Sequence, residues 1–295
     1  MIKKISETIS ALFTEEGFTS GNCILVEDDI RLMVDSACGR VLAQVSPDTV
    51  DILLNSHHHV DHIGGNDFFP RALIMAHPLE KESMTHPERL SATEFWDELM
   101  DSPNILHQPE IAGQRNRFFD PWPIHEDLYH GRVVNCGKTS VRVIHTPGHT
   151  AGHCSFHFLE DNVIFAADIC LSRVGPWYGG IDSDIDQFID TIDLIIDLKP
   201  EVLVTGHLNS PVRGKEIPAR LRAYRDKILK RDQRILELLR ERPQTVHELA
   251  EHFIIYPDHP SSFVEYWEKS NIMIHCRRLV GQGEISVNDS CYYAS

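Results

Sequence analysis

No apolar stretch in this chain approaches the ~20 residues of a membrane span, and no two of its cysteines form a Cys-x-x-Cys pair. The first absence leads to the expectation of a soluble protein with no membrane contact. The second removes the usual zinc-ribbon and redox signatures, so Cys23, Cys38, Cys136, Cys154, Cys170, Cys276 and Cys291 read as free, mostly buried thiols. Positive charge is also short. With 28 Lys and Arg against 44 Asp and Glu, the formal net charge is −16, which argues against a general nucleic-acid binder because phosphate needs a positive surface. Lys3 and Lys4 have no apolar block behind them, so a secretory signal is not expected and a cytoplasmic protein is. What is abundant is histidine: 18 residues, whose placement carries the functional reading.

At 295 residues the chain has room for one large domain with an appendage. Cys23–Val26 and Leu32–Val34, flanking the acidic turn Glu27-Asp28-Asp29, predict a β-hairpin. The β-branched apolar runs Val50–Leu54, Val141–Ile144, Asn162–Ala167 and Glu201–Val204 predict buried strands. Ile185, Phe188, Ile189, Ile192, Ile195 and Ile196 recur at helical spacing, predicting a helix over 184–198 capped by Asp182 or Ser183 and stopped before Pro200. Between 78 and 135 the periodicity fades into a stretch with Phe95, Trp96, Phe118, Phe119 and Trp122, read as an insertion or lid. After Pro211 a long basic helix is expected over 217–242, carrying Arg220, Arg222, Arg225, Lys227, Lys230, Arg231 and Arg234. It is followed by a helix capped by Thr245 with Glu248, a further helix over 261–280 and a hairpin at 283–287. That order resembles a winged helix. The expected division is a catalytic domain at 1–212 and a helical, winged-helix-like unit at 213–295.

The chemistry concentrates at strand ends. His57-His58-His59-Val60-Asp61-His62 follows the run ending at Leu54, His149 follows Val141–Ile144, Asp168 follows Asn162–Ala167, and His207 follows Glu201–Val204. If these strands point the same way, all the candidates meet at one edge. Alternation sends His57 and His59 to one side and His58 to the other, so His58 is excluded. Imidazole with carboxylate suits zinc, iron or manganese in an open site. Seven ligands exceed one tetrahedral ion but suit two ions sharing a carboxylate, for which Asp168 is the candidate.

On these residues the sequence resembles the metallo-β-lactamase superfamily, whose hallmark H-x-H-x-D-H stands here as His57 to His62. The resemblance extends in order through His149 in Thr146-Pro147-Gly148-His149-Thr150, Asp168, and His207 in Thr205-Gly206-His207. Asp35 resembles an early aspartate of many members, although Asp35-Ser36-Ala37-Cys38-Gly39 departs from the usual Asp-Thr-Gly. Over roughly residues 5–212 the resemblance implies an α/β fold, a four-layer αββα sandwich with metals at one edge. It implies a first metal on His57, His59 and His149, a second on Asp61, His62 and His207, and Asp168 between them. The tail is similar to the appendage of the β-lactamase-like protein 2 group.

The expected activity is therefore that of a metal-dependent hydrolase holding two divalent ions, zinc by default, that act on a water and on a small ester, thioester or lactone. Asp61 is the catalytic candidate, as ligand and proton acceptor. His153, Trp177 and Tyr178 are candidate substrate contacts. The basic helix and the tail support a rival phosphodiesterase or endoribonuclease, which the net charge disfavours, while a winged helix can equally mediate a homodimer. A mononuclear iron sulfur dioxygenase and a DNA-binding regulator are further readings, both disfavoured by the complete ligand set.

Overall fold

The computed structural model describes residues 1–15, 20–86, 99 and 121–295. The hairpin and the buried runs resolve into two facing sheets. The first has seven strands in sequence order: β1 (Ile2–Lys4), β2 (Ile9–Leu12), β3 (Cys23–Val26), β4 (Leu32–Val34), β5 (Ile52–Leu54), β6 (Leu73–Ala76) and β7 (Glu126–Asp127). Neighbours are antiparallel up to β4 and parallel from β4 to β7. The second comprises β8 (Val133–Asn135), β9 (Ser140–His145), β10 (Cys154–Phe158), β11 (Val163–Phe165), β12 (Val202–Val204) and β13 (Val212–Arg213), in the order β13-β12-β11-β10-β9-β8.

The two-residue period of each strand divides its side chains between two cores. Ile24 and Val26 of β3, Val141 and Val143 of β9, Val163 and Phe165 of β11, and Val202 and Val204 of β12 fill the space between the sheets. Their neighbours Cys23 and Leu25 turn outward beneath Val41, Leu42 and Phe69, where a short 3-10 helix at Gly39–Gln44 covers the first sheet. Ile164 and Leu203 turn outward beneath α-helices on the other side. Helices therefore flank two sheets, the expected four-layer order.

The helix predicted over 184–198 is observed over Ile185–Asp197 and buries Phe188, Ile192 and Ile195, each contributing about 2 kcal/mol by removal from water. Its cap is Asp184, whose side chain accepts from Gln187 N, and not the expected Asp182 or Ser183. Those two are engaged elsewhere: Asp182 accepts from Ala151 N and Ser183 donates to the His149 carbonyl. The sequence reading leaves β10 unmarked because Ser155 and His157 interrupt its apolar run, yet both are buried.

Among the described residues, two short helices, α1 (Val60–Ile63) and α2 (Lys81–Thr85), precede the helix at Ile185–Asp197, here α3. Beyond β13 come α4 (Glu216–Glu241), α5 (Val246–Ala250) and α6 (Ser262–Gly281). The Thr245–Glu248 capping box starts α5 as expected, and β14 (Gln244–Thr245), β15 (Ile285–Asn288) and β16 (Cys291–Ala294) form a small sheet in the order β14-β16-β15. Ile228, Ile235, Ile272 and Leu279 of the tail share one core with Phe188 of α3 and Leu203 of β12. Of the expected lid, Phe95, Trp96, Phe118 and Phe119 lie outside the described residues. Trp122 is buried with Ile63, Ala76 and Met84. No helix among the described residues is long and apolar enough to cross a membrane.

Candidate metal centre

Topology brings the strand-end residues together. β11 and β12 run parallel with Phe165 opposite Val204, so Asp168 and His207, each three residues further on, occupy equivalent positions at one edge. β9 is antiparallel to β10, and β10 to β11, so His149 leaves the same edge. Two chain reversals there use the left-handed region that L-residues rarely adopt: Asp35 at the end of β4 (φ 56) and Ala167 before Asp168 (φ 40). Gly206 must be glycine, since a Cβ there would lie 2.9 Å from Asp168 Oδ1 and 3.0 Å from His62 Cε1.

Three imidazoles converge on one point. His57 Nε2 is 2.9 Å from His59 Nδ1, and His149 Nε2 is 3.2 Å from the first and 2.9 Å from the second. Because His149 Nδ1 donates to the Trp177 carbonyl at 2.9 Å, Nε2 is the ring nitrogen left to face a ligand. Asp168 Oδ2, 3.2 Å from His149 Nε2, completes this group. A second group adjoins it: His207 Nε2 lies 3.3 Å from Asp61 Oδ2 and 3.3 Å from Asp168 Oδ1, and His62 Nε2 lies 3.7 Å and 2.9 Å from the same two oxygens. The two oxygens of Asp168 thus face different ligand sets.

These residues fit bound cations. Despite their 2.9 Å separation, His62 Nε2 and Asp168 Oδ1 are buried without a hydrogen-bond partner. Orphaned polar atoms of this kind cost about 1–3 kcal/mol each, a cost that a shared ion removes. The potential ligand atoms of His57, His59, His149 and Asp168 all lie within 4.8 Å of one another, as do those of Asp61, His62 and His207. Cys170, read from sequence as a plain thiol, forms a third such group with Asp168 and His207.

The electrostatics follow the same division. Burial, then the neighbouring imidazoles, holds His57 and His59 well below the ordinary histidine value, which keeps them neutral. Burial acts the same way on His62 and His207 but is overcome. Asp168, Asp61 and Asp35 push His62 well up, and Asp168 with Asp61 raises His207 to about 10. Burial alone would raise the Asp168 carboxyl, yet His62, His207 and His149 pull it well below the carboxylate range.

Other buried groups orient these rings. Asp35 accepts from His62 Nδ1 at 2.7 Å and from the amide and hydroxyl of Ser56 at 2.8 Å, which holds the His62 ring with Nε2 toward Asp168. His58 turns to Glu80 and belongs to neither group. Glu80 is fully buried and accepts from His58 N at 2.9 Å, His58 Nδ1 at 2.5 Å, Thr150 Oγ1 at 2.7 Å and Gly152 N at 2.7 Å, so one carboxylate ties the His57–His59 loop to the His149 loop. Nothing in the sequence around Pro78-Leu79-Glu80 signals this role, which depends on a contact across 22 and 70 positions.

The three candidate substrate residues are placed differently. His153 is buried, donates from Nδ1 to the Thr146 carbonyl at 2.9 Å and accepts the Asp168 amide at Nε2. Burial and His149 hold it down to about 3, so it is neutral and steadies Asp168. The Tyr178 hydroxyl lies against Arg231 and His275 of the C-terminal helices. Trp177 lies beside the cluster without a hydrogen bond from its ring, with ring centroids 5.4 Å from His59 and 5.3 Å from His149.

Comparison with known proteins places these observations in a family. Residues 17–207 match the model described as the metallo-beta-lactamase superfamily. The chain is 25% identical over 255 residues to a beta-lactamase-like protein 2 homolog of Drosophila melanogaster, covering 85% of this chain and 75% of that one. It is 29% identical over 162 residues to the human acyl-coenzyme A thioesterase MBLAC2, covering 52% of this chain and 55% of that protein, so the match spans about half the length of the human relative. The crystal structure of a metallo-beta-lactamase family protein from Thermus thermophilus superposes with a TM-score of 0.77 at 22% identity, over 99% of this chain and 100% of that one, a likeness of fold that includes the tail.

Proposed function

The chain belongs to the metallo-beta-lactamase superfamily, and from that premise we propose that it is a binuclear metal-dependent hydrolase of small acyl esters, thioesters first among them. The observation that carries the reading is Asp168, whose two carboxylate oxygens face His149 on one side and His62 with His207 on the other. In this reading His57, His59, His149 and Asp168 hold one ion, and Asp61, His62, His207 and Asp168 hold the second. Two divalent ions, zinc first with iron and manganese as alternatives, would acidify a water and polarise the acyl oxygen.

The chain's own groups supply the rest. The Asp61 side chain is 17% exposed and its Oδ2 lies near both His62 and His207, so it is the group to orient the attacking water and take its proton. Trp177, beside His59 and with a buried Nε1 that lacks a hydrogen-bond partner, is the best placed of the candidate substrate contacts. The thioester preference draws on the human relative, named an acyl-coenzyme A thioesterase. We also read residues 1–212 as the catalytic domain and 213–295 as a winged-helix-like unit built onto it.

A nucleic-acid substrate finds less support. Of the basic residues on α4, Arg225 pairs with Asp193 and Asp226, Lys227 donates to the Ser172 and Arg173 carbonyls, Arg231 is buried, and Arg234 pairs with Glu237. The charge of these four is used within the fold, while Arg220, Arg222, Lys230 and Arg240 are exposed; support for a phosphate track is confined to those, against a formal net charge of −16. The test is a panel of an acyl-coenzyme A, a lactone, an aryl ester, a phosphodiester and RNA, with wild-type protein and Asp168→Ala at low and high salt. Thioester cleavage that varies little with salt and is lost in the variant supports the proposal. RNA cleavage that falls steeply with salt, without thioester cleavage, replaces it with the nuclease reading.

A further inference from the structure

The C-terminal helices are joined to the candidate metal centre by hydrogen bonds to one short stretch of backbone, Val174 to Tyr178. On α4, Arg231 is 4% exposed and grips the loop that follows Asp168: Nη1 donates to the Pro176 carbonyl at 2.7 Å and to the Tyr178 hydroxyl at 2.6 Å, and Nη2 donates to the Val174 carbonyl at 3.0 Å. On α6, Asn271 Oδ1 accepts from Tyr178 N at 3.1 Å, and His275 Nε2 lies 2.6 Å from the Tyr178 hydroxyl. His275 Nδ1 in turn meets Asp232 of α4 at 2.7 Å, and Asp232 also pairs with Arg278.

The protons in this network have one consistent arrangement. Arg231 donates to the tyrosine oxygen, the tyrosine hydroxyl donates to His275 Nε2, and His275 Nδ1–H donates to Asp232. Burial supports it by pushing the Tyr178 hydroxyl up to about 12 and His275 down, so both stay neutral. The loop backbone fits tightly against the two helices. A Cβ at Gly175, where φ is +117, would lie 2.8 Å from Arg231 Nη2, and one at Gly179 would lie 2.3 Å from Ser270 Oγ.

Between the gripped residues stands Trp177, whose carbonyl accepts the Nδ1–H of His149. We propose that the C-terminal helices are a positioning device for His149: Arg231, through Pro176 and Tyr178, and Asn271, through Tyr178 N, hold the Trp177 carbonyl where it fixes the tautomer and direction of that ring. The tail is then part of the catalytic unit. Arg231, Tyr178 and Asn271 are positioning residues, since none reaches the ligand atoms itself. The inference rests on reading His149 as a metal ligand.

The test compares cobalt(II) binding to wild-type protein, Arg231→Met, Tyr178→Phe and Leu249→Ala, by chelator competition and by the visible cobalt spectrum, with thermal unfolding measured alongside. Leu249 is buried on α5 in the core that the tail shares and its side chain makes none of the hydrogen bonds to the loop, so its variant reports general destabilisation of the tail. Loss of a group that orients a metal-binding histidine weakens binding by about 10–100-fold. The expected result is that range for Arg231→Met, a smaller loss in the same direction for Tyr178→Phe and an altered spectrum in both, while Leu249→Ala unfolds at lower temperature with wild-type affinity and spectrum. Tyr178→Phe, which removes one oxygen, serves if Arg231→Met does not fold. Wild-type affinity and spectrum in whichever of these two variants fold overturn the inference while leaving the metal reading intact, as does an equal loss of affinity in Leu249→Ala. Wild-type protein that binds no cobalt refutes both.

Discussion

Replacing Glu80 with glutamine keeps the side chain's shape but removes the charge that joins the two ligand loops. The carboxylate is fully buried and accepts from His58 N, His58 Nδ1, Thr150 Oγ1 and Gly152 N. Glutamine offers one acceptor oxygen and turns an NH2 group toward donors. Burial alone would raise the Glu80 carboxyl, but His58 and then Thr150 lower it from 4.5 to about 2. Linkage converts that difference to about 3 kcal/mol of folding stability at neutral pH. Because the folded value is the lower one, the contribution is complete above pH 4.5 and disappears as pH falls toward 2. Urea unfolding of metal-stripped wild-type protein and Glu80→Gln should therefore show a gap of about 3 kcal/mol at pH 7, narrowing by about 1 kcal/mol at pH 4. A gap below about 1 kcal/mol at pH 7, or one that widens in acid, would refute the reasoning.

Asp35→Asn takes the anionic acceptor from His62 Nδ1 and should weaken zinc binding by about 10–100-fold in a chelator competition; unchanged affinity counts against its orienting role. Gly206→Ala drives a methyl group toward Asp168 Oδ1 and His62 Cε1. It should cost at least about 100-fold in hydrolysis, as displacement of a group in a preorganised site does, while the far-ultraviolet circular dichroism stays that of wild type. Thr245→Ala removes one half of the capping box at α5 and should lower unfolding stability by about 1 kcal/mol with no change in zinc stoichiometry; a loss of zinc would contradict the placement of that cap away from the metal centre.

Most of the fold could be read from periodicity because the strands that position the candidate ligands are short apolar runs that end at them. Leu54, Phe165 and Val204 each close a buried strand three residues before His57, Asp168 and His207. The helix over 184–198 could be read the same way, but its cap could not. Asp182, Ser183 and Asp184 are equivalent cap candidates in sequence, but the side chains of the first two bond to the His149 loop and only that of the third turns to the helix. The candidate ligands were legible because their spacing is local, as in His57-x-His59-x-Asp61-His62. The groups that orient them were not, since Glu80, the Trp177 carbonyl and Arg231 act across long sequence separations and, in Trp177, through a backbone atom that any residue carries. The basic character of α4 pointed toward phosphate, while in the fold Arg231 and Lys227 hold the carbonyls of the loop after Asp168.

In the proposed centre the Asp168 carboxylate joins the two candidate metal sites. Elemental analysis of zinc-loaded, desalted wild-type protein beside Asp168→Ala tests it most directly. The expected result is about two ions per chain in the wild type and at most one, loosely held, in the variant, with hydrolysis lost in parallel. Two tightly held ions in Asp168→Ala, or no bound ion in the wild type, would contradict it.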